Sequence, residues 1–406
     1  MYIKRHIESA IIERSREKGA IIVTGARQTG KTTLIEHLKP EINRITFDDL
    51  AIRDSATSEP AAFLQLYQPP LFIDEVQYVP DIFNYIKIAL DKSRNKGDFF
   101  LTGSQRFQLM ENATESLAGR AGILELLGLS LRELRCETWD TPFLPTTEYL
   151  LERKTTASQI ESRELWNIIH RGSFPEICAE PDYNWGNFYS DYVQTYLERD
   201  VRKLSQVADL DLFRKFMTVC ASGTGQLLNL NGMAIKLGIS QPTAKRWLSI
   251  LQTSGLVYLL QPYYNNILKR ETKTPKLYFL DTGLAAYLTR WLTSETLSQG
   301  AMSGEIFETF VIAEVLKSYI NKGKQADIFY LREREDKEID LLIFQNNTLY
   351  PIEIKQTSAP GKDKIKNFKM LEHISTVNIG EGGVICPAAD ILPLDATNKV
   401  IPLWAI

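Results

Sequence analysis

The fold is decided by one stretch near the start of the chain, which reads Gly25-Ala26-Arg27-Gln28-Thr29-Gly30-Lys31-Thr32. It matches G-x-x-x-x-G-K-S/T at every fixed position, after an apolar run and before a helical pattern. Glycines there let backbone N–H groups surround phosphates, and the helix N-terminus adds a favourable dipole. The sequence therefore predicts a nucleoside triphosphate site at residues 25–33, where Lys31 reaches the β- and γ-phosphates and Thr32 ligates Mg²⁺. Thr33 continues this loop into the helix, and we expect Arg27 to be a surface or interface residue.

A second motif supplies the acids that hydrolysis needs. The apolar strand Leu71-Phe72-Ile73 ends in Asp74 and Glu75. An acidic pair after a strand is often only a solvated turn, but downstream of an intact phosphate loop a catalytic role is favoured. Asp74 can hold the Mg²⁺ shell and Glu75 can polarise the attacking water. Together the two motifs predict an ATPase with ATP and Mg²⁺ as cofactors.

The first third of the chain predicts a parallel α/β sheet, because short apolar runs alternate with helical patterns. The predicted strands are Ile21–Thr24, Arg44–Phe47, Leu71–Ile73, Phe99–Leu101 and Ile123–Leu127, and an amphipathic helix is predicted over Asp81–Lys92. This arrangement resembles the AAA+ and related P-loop ATPases that carry a catalytic glutamate. In those proteins the strand Phe99–Thr102 would be a sensor strand between the two motif strands, with Thr102 or Ser104 near the γ-phosphate.

The same resemblance assigns a role to an arginine. Ser116-Leu117-Ala118-Gly119-Arg120 is similar to the segment that presents a guanidinium to a nucleotide across a subunit interface. Arg120 acting in trans would imply a homo-oligomer. Arg106 is the competing residue, and a solvated surface arginine is the alternative for each.

Composition limits the other classes of function. The chain has 406 residues, with 47 Lys and Arg against 50 Asp and Glu, so its formal charge is −3. A DNA partner therefore requires a local basic surface. The four cysteines show no CxxC spacing, which argues against zinc and a disulfide framework. We expect no signal peptide and no membrane span, and a cytoplasmic location.

The middle of the chain predicts a helix-turn-helix. One helix covers Met233–Leu237, Gly238 makes the turn, and a second helix runs from Ser240 to about Gln252 before a strand at Leu256–Leu260. This segment resembles a winged helix. Its second helix can present Gln241, Thr243, Lys245 and Arg246 to DNA, with Trp247 and Leu248 on the core side. The alternative is a lid or a protein interface.

The C-terminal part carries a cluster of acids and one lysine. Adjacent strands would place Asp340 and Glu353 together, with Lys355 on the same face as Glu353. Two carboxylates can share a divalent metal, and a helix before them offers Glu308 in preference to Glu305. The order helix, three strands, helix, strand resembles the PD-(D/E)XK nuclease core. That resemblance implies a second divalent metal at Glu308, Asp340 and Glu353, although many such folds bind nucleic acid without cleaving it.

The whole arrangement resembles a widespread prokaryotic group of ATP-binding proteins with a C-terminal domain of unknown function. We expect an α/β protein: an AAA+-like P-loop domain at 1–135, a helical connector or lid at 136–205, a winged-helix domain at 206–292 and a restriction-endonuclease-like domain at 293–406. Arg199 can complete the nucleotide site from the lid or form a structural ion pair with Asp200 or Glu198. The predicted function is an ATPase coupled to a DNA-binding or DNA-processing C-terminal domain. The alternative is an ATP-dependent switch or protein remodeller whose nuclease-like domain only binds partners.

Overall fold

The structure, a computed structural model, describes residues 2–103, 115–196, 201, 209–264, 273–334 and 337–406. The chain divides into two compact units. The first covers the chain as far as Leu129, together with Thr253–Gly255 and Ile320–Lys324. The second contains Ser130–Gln252, Leu256–Tyr319 and Gln325–Ile406. The finer division into four domains stays a prediction.

Five strands form a parallel sheet in the first unit: β1 (Ala20–Thr24), β2 (Asn43–Thr46), β3 (Leu71–Asp74), β4 (Phe99–Gly103) and β5 (Ala121–Glu125). Their order is β2-β3-β4-β1-β5, and all neighbouring pairs run parallel. The expected strands are therefore present, and β4 lies between the two motif strands. The carboxyl ends of β1, β3 and β4 lie at one edge of the sheet, where ligands bind in open α/β sheets.

The helices of the first unit are α1 (Glu8–Glu17), α2 (Lys31–Leu38), α3 (Leu50–Ser58), α4 (Pro60–Leu66) and α5 (Ile82–Ser93), with a 3₁₀ turn at Val76–Tyr78. All residues of β1, β3 and β4 are buried, as expected where helices cover both faces of a parallel sheet. Successive side chains of β1 point to opposite faces of the sheet. Ile22 packs in a core with Ile86 of α5, while Ile21 and Val23 pack in a second core with Leu34 of α2.

The second unit begins with helices. They are Leu131–Leu134, Thr147–Thr156, Ser162–Arg171, Pro175–Ala179, Trp185–Tyr196, Leu210–Ser222, Leu230–Leu237, Gln241–Thr253, Thr282–Leu288 and Ser294–Gln299. Strands β6 (Gln226–Leu227), β7 (Val257–Leu260) and β8 (Lys276–Phe279) form an antiparallel sheet in the order β6-β8-β7. The predicted pair of helices around Gly238 is present, and Gly238 has the left-handed φ of 67° that ends the first of them.

The C-terminal part of the second unit contains the long helix Ser303–Ile320 and a mixed sheet. Its described strands are β9 (Ile328–Arg334), β10 (Lys337–Gln345), β11 (Thr348–Ile354), β12 (Asn378–Ile379), β13 (Gly382–Cys386), β14 (Leu392–Pro393) and β15 (Asn398–Pro402). The order is β14-β15-β13-β11-β10-β9, with β12 beside β11, and a 3₁₀ helix at Lys362–His373 separates β11 from β12. A last 3₁₀ turn covers Leu403–Ala405. The predicted order of helix, three strands, helix and strand is present, whereas β12, β14 and β15 were not predicted.

Two segments differ from the sequence prediction. The polar composition of Thr293–Gly300 predicts a linker. Instead, Ser294–Gln299 is helical, because Thr293 and Thr296 form a capping box and Leu297 is fully buried. The connector expected over Cys136–Gln159 contains the helix Thr147–Thr156, which Thr146 caps. Among the described residues, no helix combines the length and the apolar composition that crossing a membrane requires.

The turn at Gly172–Glu176 is held by one buried carboxylate. Asp281 is 7% exposed and accepts hydrogen bonds from Ser173 N (2.6 Å), Ser173 Oγ (2.8 Å) and Tyr189 OH (2.7 Å). It also caps the helix Thr282–Leu288 through Leu284 N at 2.7 Å. Asp281 thus accepts hydrogen bonds from four donors, which hold the turn between the helices Ser162–Arg171 and Pro175–Ala179 against the helix Thr282–Leu288.

Close packing around this carboxylate gives the first prediction. A Cβ on Gly283 would lie 2.2 Å from Tyr189 Oη and 2.7 Å from the carbonyl oxygen of Arg171, so Gly283→Ala should lower the free energy of unfolding by about 1–3 kcal/mol through overpacking. Gly304 is a matched control, because it is also the second residue of a helix and a Cβ there meets nothing within 4 Å. Urea unfolding of both variants measures the difference. Equal stabilities would contradict this packing.

Candidate functional site

The predicted phosphate loop joins β1 to α2 and has the backbone that its glycines allow. Gly25 has φ +148°, and a Cβ there would lie 2.2 Å from the carbonyl oxygen of Leu126. Gly30 is the N-cap residue of α2 with φ 85°. Both positions thus require glycine, one for space and one for a left-handed backbone. Within the loop, Thr29 Oγ1 donates to Ala26 O at 2.9 Å.

Lys31 lies at the first position of α2 with its ammonium folded back over the loop. The side chain is 7% exposed, and Nζ donates to the carbonyl oxygens of Gly25 (3.0 Å) and Ala26 (2.7 Å). An ammonium held above the backbone amides of a glycine loop is placed to neutralise phosphate oxygens. Thr33 and Gln28 are exposed, and Arg27 is half-buried. The loop and Lys31 therefore fit a triphosphate.

The ends of three neighbouring strands and α2 meet at Asp74. Thr32 Oγ1 lies 3.1 and 3.0 Å from the two carboxylate oxygens of Asp74, which is 8% exposed. Thr102, at the end of β4, is fully buried and donates its hydroxyl to Asp74 Oδ1. Arg44 Nη2 is 4.0 Å from Asp74 Oδ2. A hydroxyl and a carboxylate beside a phosphate loop form the oxygen donor set that Mg²⁺ uses with substrate phosphates.

Glu75 follows in a strained conformation. Its φ is 54°, in the left-handed region that a non-glycine residue adopts at a cost of about 1–3 kcal/mol and mostly at functional sites. Gln77, from the 3₁₀ turn, is 3% exposed and donates its amide Nε2 to Glu75 Oε2. The sequence motifs do not indicate Gln77, because their spacing assigns no role two residues beyond Glu75.

Arg5 is a second residue that the motifs did not reveal. It is 3% exposed, and its guanidinium donates to the carbonyl oxygens of Thr29 (2.9 Å), Leu127 (2.7 Å) and Gly128 (3.3 Å). It therefore joins the phosphate loop to the segment after β5. These partners are 24 and more than a hundred residues away in sequence, so no local pattern indicates the contact.

Arg120 lies at the opposite edge of the sheet from the phosphate loop. It immediately precedes β5, whose first residue pairs with the first residue of β1. Its guanidinium forms two hydrogen bonds with Asp91 of α5, at 2.6 and 3.0 Å, and a third with Ala118 O at 3.2 Å. The hydrogen bond from Arg120 lowers the pKa of Asp91. Arg120 is thus remote from the loop of its own chain, and a role in trans stays a prediction.

Three other predicted residues cannot be placed. Ser104 and Arg106 follow β4, and Arg199 lies with Glu198 and Asp200 after the helix Trp185–Tyr196; all are outside the described residues. On the predicted recognition helix, Gln241, Lys245 and Arg246 are exposed, Thr243 is half-buried, and Trp247 and Leu248 are buried. That division of faces agrees with the prediction for these side chains.

The C-terminal acids lie together with Lys355. The register that pairs Leu341 with Ile352 sets Asp340 opposite Glu353 on neighbouring strands. Lys355 Nζ lies 2.7 Å from Asp340 Oδ2 and 2.7 Å from Glu353 Oε2, and the N–H of Ile354 also donates to Asp340 at 2.8 Å. Burial and the neighbouring Asp340 raise the pKa of Glu353 to about 9, although Lys355 opposes this. Burial alone would raise the pKa of Asp340, but Lys355 and Lys276 lower it overall.

Glu308, the third predicted acid, has other partners. Its Oε1 accepts from Lys276 Nζ at 3.0 Å and from Tyr278 OH at 2.6 Å, both from β8. Burial raises the pKa of Glu308. Across the described ranges, no three His, Cys, Asp or Glu side chains are grouped so as to hold a metal. The second divalent metal at Glu308, Asp340 and Glu353 is therefore not shown and stays a prediction.

Comparison with known proteins agrees with this description of the first unit. Residues 17–135 match a family model described as an AAA domain. Residues 162–295 and 303–406 match two models described as domains of unknown function, DUF8612 and DUF4143. The AAA match, with the loop, Asp74 and the parallel sheet, supports ATP binding and ATPase activity by a P-loop NTPase-like domain.

The similarity to relatives and to solved structures extends over more of the chain than the AAA match does. Uncharacterized proteins of Mycobacterium bovis and Mycobacterium tuberculosis are each 28% identical over 404 residues, covering 99% of this chain and 84% of the relative. A Walker-type ATPase of Pyrococcus abyssi is 16% identical, with a TM-score of 0.45, over 71% of this chain and 96% of that one. The RuvB Holliday junction branch migration motor of Thermotoga maritima is 20% identical, with a TM-score of 0.30, over 62% and 86%.

The contacts of Arg5 give the second prediction. Arg5→Met should weaken ATP binding about tenfold, because the loop carbonyl and the segment after β5 lose a charged donor worth about 1.5–3 kcal/mol per hydrogen bond. Arg14→Met is the control, since Arg14 is exposed and pairs with Glu17 at the surface. Titration with a fluorescent ATP analogue measures both affinities. A folded Arg5→Met variant that binds nucleotide as the wild-type chain does would contradict the supporting role.

Proposed function

We propose that this chain is a Mg²⁺-dependent ATPase whose nucleotide cycle controls a C-terminal region that handles DNA. The observation that carries the ATPase proposal is the meeting of Lys31, Thr32 and Asp74, with Thr32 Oγ1 3.0 Å from an Asp74 oxygen beside the glycine loop. Mg²⁺, when bound with ATP, supplies positive charge that neutralises the β- and γ-phosphates. The loop amides and Lys31 bind the triphosphate, and Thr32 and Asp74 hold the metal.

The hydrolytic step needs a water molecule that is oriented and polarised. Glu75 follows directly after Asp74 at the carboxyl edge of the sheet, so its carboxylate can accept the proton of a water that attacks the γ-phosphate. Gln77 holds Glu75 through its amide, and Thr102 holds Asp74 through its hydroxyl. In this proposal Thr102 acts through Asp74, and Ser104 is the residue assigned to contact the γ-phosphate.

Arg120 and Arg199 complete the proposed site from outside the loop. Because Arg120 lies at the far edge of the sheet from its own loop, it can contact a nucleotide only if a second copy brings its loop to that edge. The proposal therefore includes a homo-oligomer in the active state. Asp91 accepts only two of the five N–H donors of Arg120, so the guanidinium can keep this ion pair and still donate to a phosphate.

The coupled partner in this proposal is DNA. The order helix, strand, helix, helix, strand, strand from Leu210 to Phe279 supports a winged helix, and Gln241, Lys245 and Arg246 on its second helix are exposed. The helix-strand-strand-strand-helix-strand order around Asp340 and Glu353 supports a PD-(D/E)XK-like domain at 293–406. We assign 1–135 to ATP turnover, 136–205 to a connector or lid, and the rest to DNA handling.

Two forms of DNA handling fit this architecture. A processing enzyme would use a divalent metal at Asp340 and Glu353 to nick DNA. A switch would bind DNA or a protein partner without cleavage, with ATP setting the domain positions. The lysine contacts of all four acids favour the second form, because Glu308, Glu338, Asp340 and Glu353 are each within ion-pair distance of Lys276 or Lys355.

Two variants test the ATPase directly. Lys31→Ala should abolish detectable ATP binding, because the phosphates lose the ammonium group that the motif places over the loop. Glu75→Gln should bind ATP normally but lower turnover by about 10²- to 10⁴-fold, the usual contribution of a general base. Lys39→Ala, at the exposed end of the same helix, is the control for Lys31. Phosphate release and nucleotide titration measure these effects, and normal turnover in either motif variant would refute the proposal.

DNA binding is tested on the exposed helix. Lys245→Ala combined with Arg246→Ala should weaken binding to duplex DNA and reduce the slope of log affinity against log salt by about two, one phosphate contact for each lost charge. Lys154→Ala is the control, because Lys154 is exposed but paired with Asp390. Fluorescence anisotropy with and without ATP measures affinity. An unchanged salt slope would remove this helix from the proposed interface.

A further inference from the structure

A cavity of about 520 Å³ lies in the second unit, bordered by three of its helices. The helices are Trp185–Tyr196, Leu210–Ser222 and Thr282–Leu288, and they belong to the stretch that matches DUF8612. Ligand pockets in proteins have volumes of about 300–1,000 Å³, so the cavity has room for a small ligand. Its described residues include neither the phosphate loop nor the C-terminal acids.

The helix Leu210–Ser222 contributes two adjacent rows of side chains to the cavity. Arg214 and Thr218 are four residues apart, as are Asp211 and Lys215, and all four border the cavity. Side chains at this spacing lie above one another on a helix. Arg214 and Lys215 are exposed, whereas Thr218 is half-buried. The helix therefore sets two positive charges at the mouth of the cavity, with a hydroxyl deeper inside.

The charge of the cavity is positive. Arg290, just after the helix Thr282–Leu288, is a third exposed cation beside Arg214 and Lys215. Among the described residues of the cavity Asp211 is the one acid, so three cations and one acid give a net charge of +2. Asp211 Oδ1 lies 3.7 Å from Arg214 Nη2, with the two side chains 85% and 59% exposed. Exposed ion pairs of this kind are weak, so Arg214 can turn to a bound anion.

Tyr287 gives the cavity an aromatic surface. Its ring is half-buried, and it stacks on Tyr189 with the centroids 5.9 Å apart and meets Trp185 edge to face at 5.8 Å. These two contacts fix the orientation of the ring. The guanidinium carbon of Arg290 lies 5.9 Å from the centroid of the same ring. Tyrosine rings and guanidinium planes are the surfaces on which unpaired nucleic-acid bases stack.

The ligand that suits these groups combines a phosphate with a flat aromatic ring. Arginine and lysine both bind phosphate oxygens, and arginine does so through several N–H donors in one plane. The buried side chains of Val193 and Leu288 add an apolar surface beside Tyr287. An acidic peptide would meet the same cations, but it would bring no flat heterocycle to Tyr287, and extended peptides bind along grooves or sheet edges. The observations therefore favour a nucleotide.

We propose that this cavity is a nucleotide site separate from the phosphate loop. Arg214, Lys215 and Arg290 hold the phosphate, and the base stacks on Tyr287. A free mononucleotide and one nucleotide of a single strand share this chemistry. The inference goes beyond the proposed function, which assigns a role to none of these four residues.

Two probes test the inference and separate the two sources of nucleotide. Calorimetric titration with thymidine monophosphate measures binding of a free nucleotide, and the anisotropy of a fluorescein-labelled thymidine hexanucleotide measures binding of a strand. Every chain carries Lys31→Ala together with Lys245→Ala and Arg246→Ala, so that neither the phosphate loop nor the exposed helix contributes. Binding of the monophosphate assigns the cavity to free nucleotides, and binding of the strand alone assigns it to single-stranded nucleic acid.

Variants in the same background locate the bound probe. Arg214→Met combined with Lys215→Met should weaken binding at least tenfold, because the phosphate loses two cations. Tyr287→Leu should weaken it about tenfold, within the range measured for the loss of one stacked base. Lys154→Met combined with Arg163→Met is the matched control, since it removes one exposed lysine and one exposed arginine from other helices of the same unit. The control should bind as the background chain does.

Three results would each overturn the inference. The first is that neither probe binds. The second is that the Arg214 and Lys215 double variant, whose exposed positions leave the fold intact, binds as tightly as the control. The third is that folded Tyr287→Leu keeps full affinity. If Tyr287→Leu does not fold, Arg290→Met takes its place with the same expected loss, because it removes the exposed guanidinium beside the ring.

Discussion

The nucleotide site depends on a constraint of backbone geometry at the junction of β1 and α2. Gly25 lies against the carbonyl oxygen of Leu126, and Gly30 caps α2 with a left-handed backbone, so the loop between them turns sharply at the helix N-terminus, where a phosphate ligand is favoured. Lys31 and Thr32 can face that ligand only because the loop ends where the helix begins. Asp74 reaches Thr32 because β4, and no other strand, separates β3 from β1.

The carboxylates beside the phosphate loop and those of the C-terminal region have different kinds of partner. At the phosphate loop, Asp74 is held by hydroxyl groups of Thr32 and Thr102, which hydrogen-bond a carboxylate without cancelling its charge, and the guanidinium of Arg44 stays 4.0 Å away. At the C-terminal cluster, ammonium groups of Lys276 and Lys355 balance the carboxylates directly. The first arrangement leaves the negative charge of Asp74 available to a metal, whereas in the second the ammonium groups neutralise the carboxylates. Similar acids therefore support different functions, because their neighbours differ.

Local patterns predicted what depends on local geometry. The motif at Gly25–Thr32 and the strand ending at Asp74 predicted residues that the structure brings together, and the alternation of apolar runs predicted all five strands of the first sheet. Arg5 and Lys276 were not predicted, because each acts through a partner fixed only by tertiary packing, such as Thr29 for Arg5. Gln77 contacts Glu75 only two residues away, but the motif assigns no role to its position. The helix Ser294–Gln299 was predicted to be a linker because its composition is polar. The burial of Leu297 and the capping pair Thr293 and Thr296 are seen only in the structure.

The central claim is that the loop at residues 25–32 and Asp74 hold a triphosphate with its metal. It is tested most directly by a crystal structure of the full chain with a non-hydrolysable ATP analogue and Mg²⁺. We predict that Lys31 Nζ moves from the carbonyl oxygens of Gly25 and Ala26 to the phosphates, with the metal on Thr32 Oγ1 near Asp74. An analogue bound elsewhere, with Lys31 still on those carbonyl oxygens, would contradict the account.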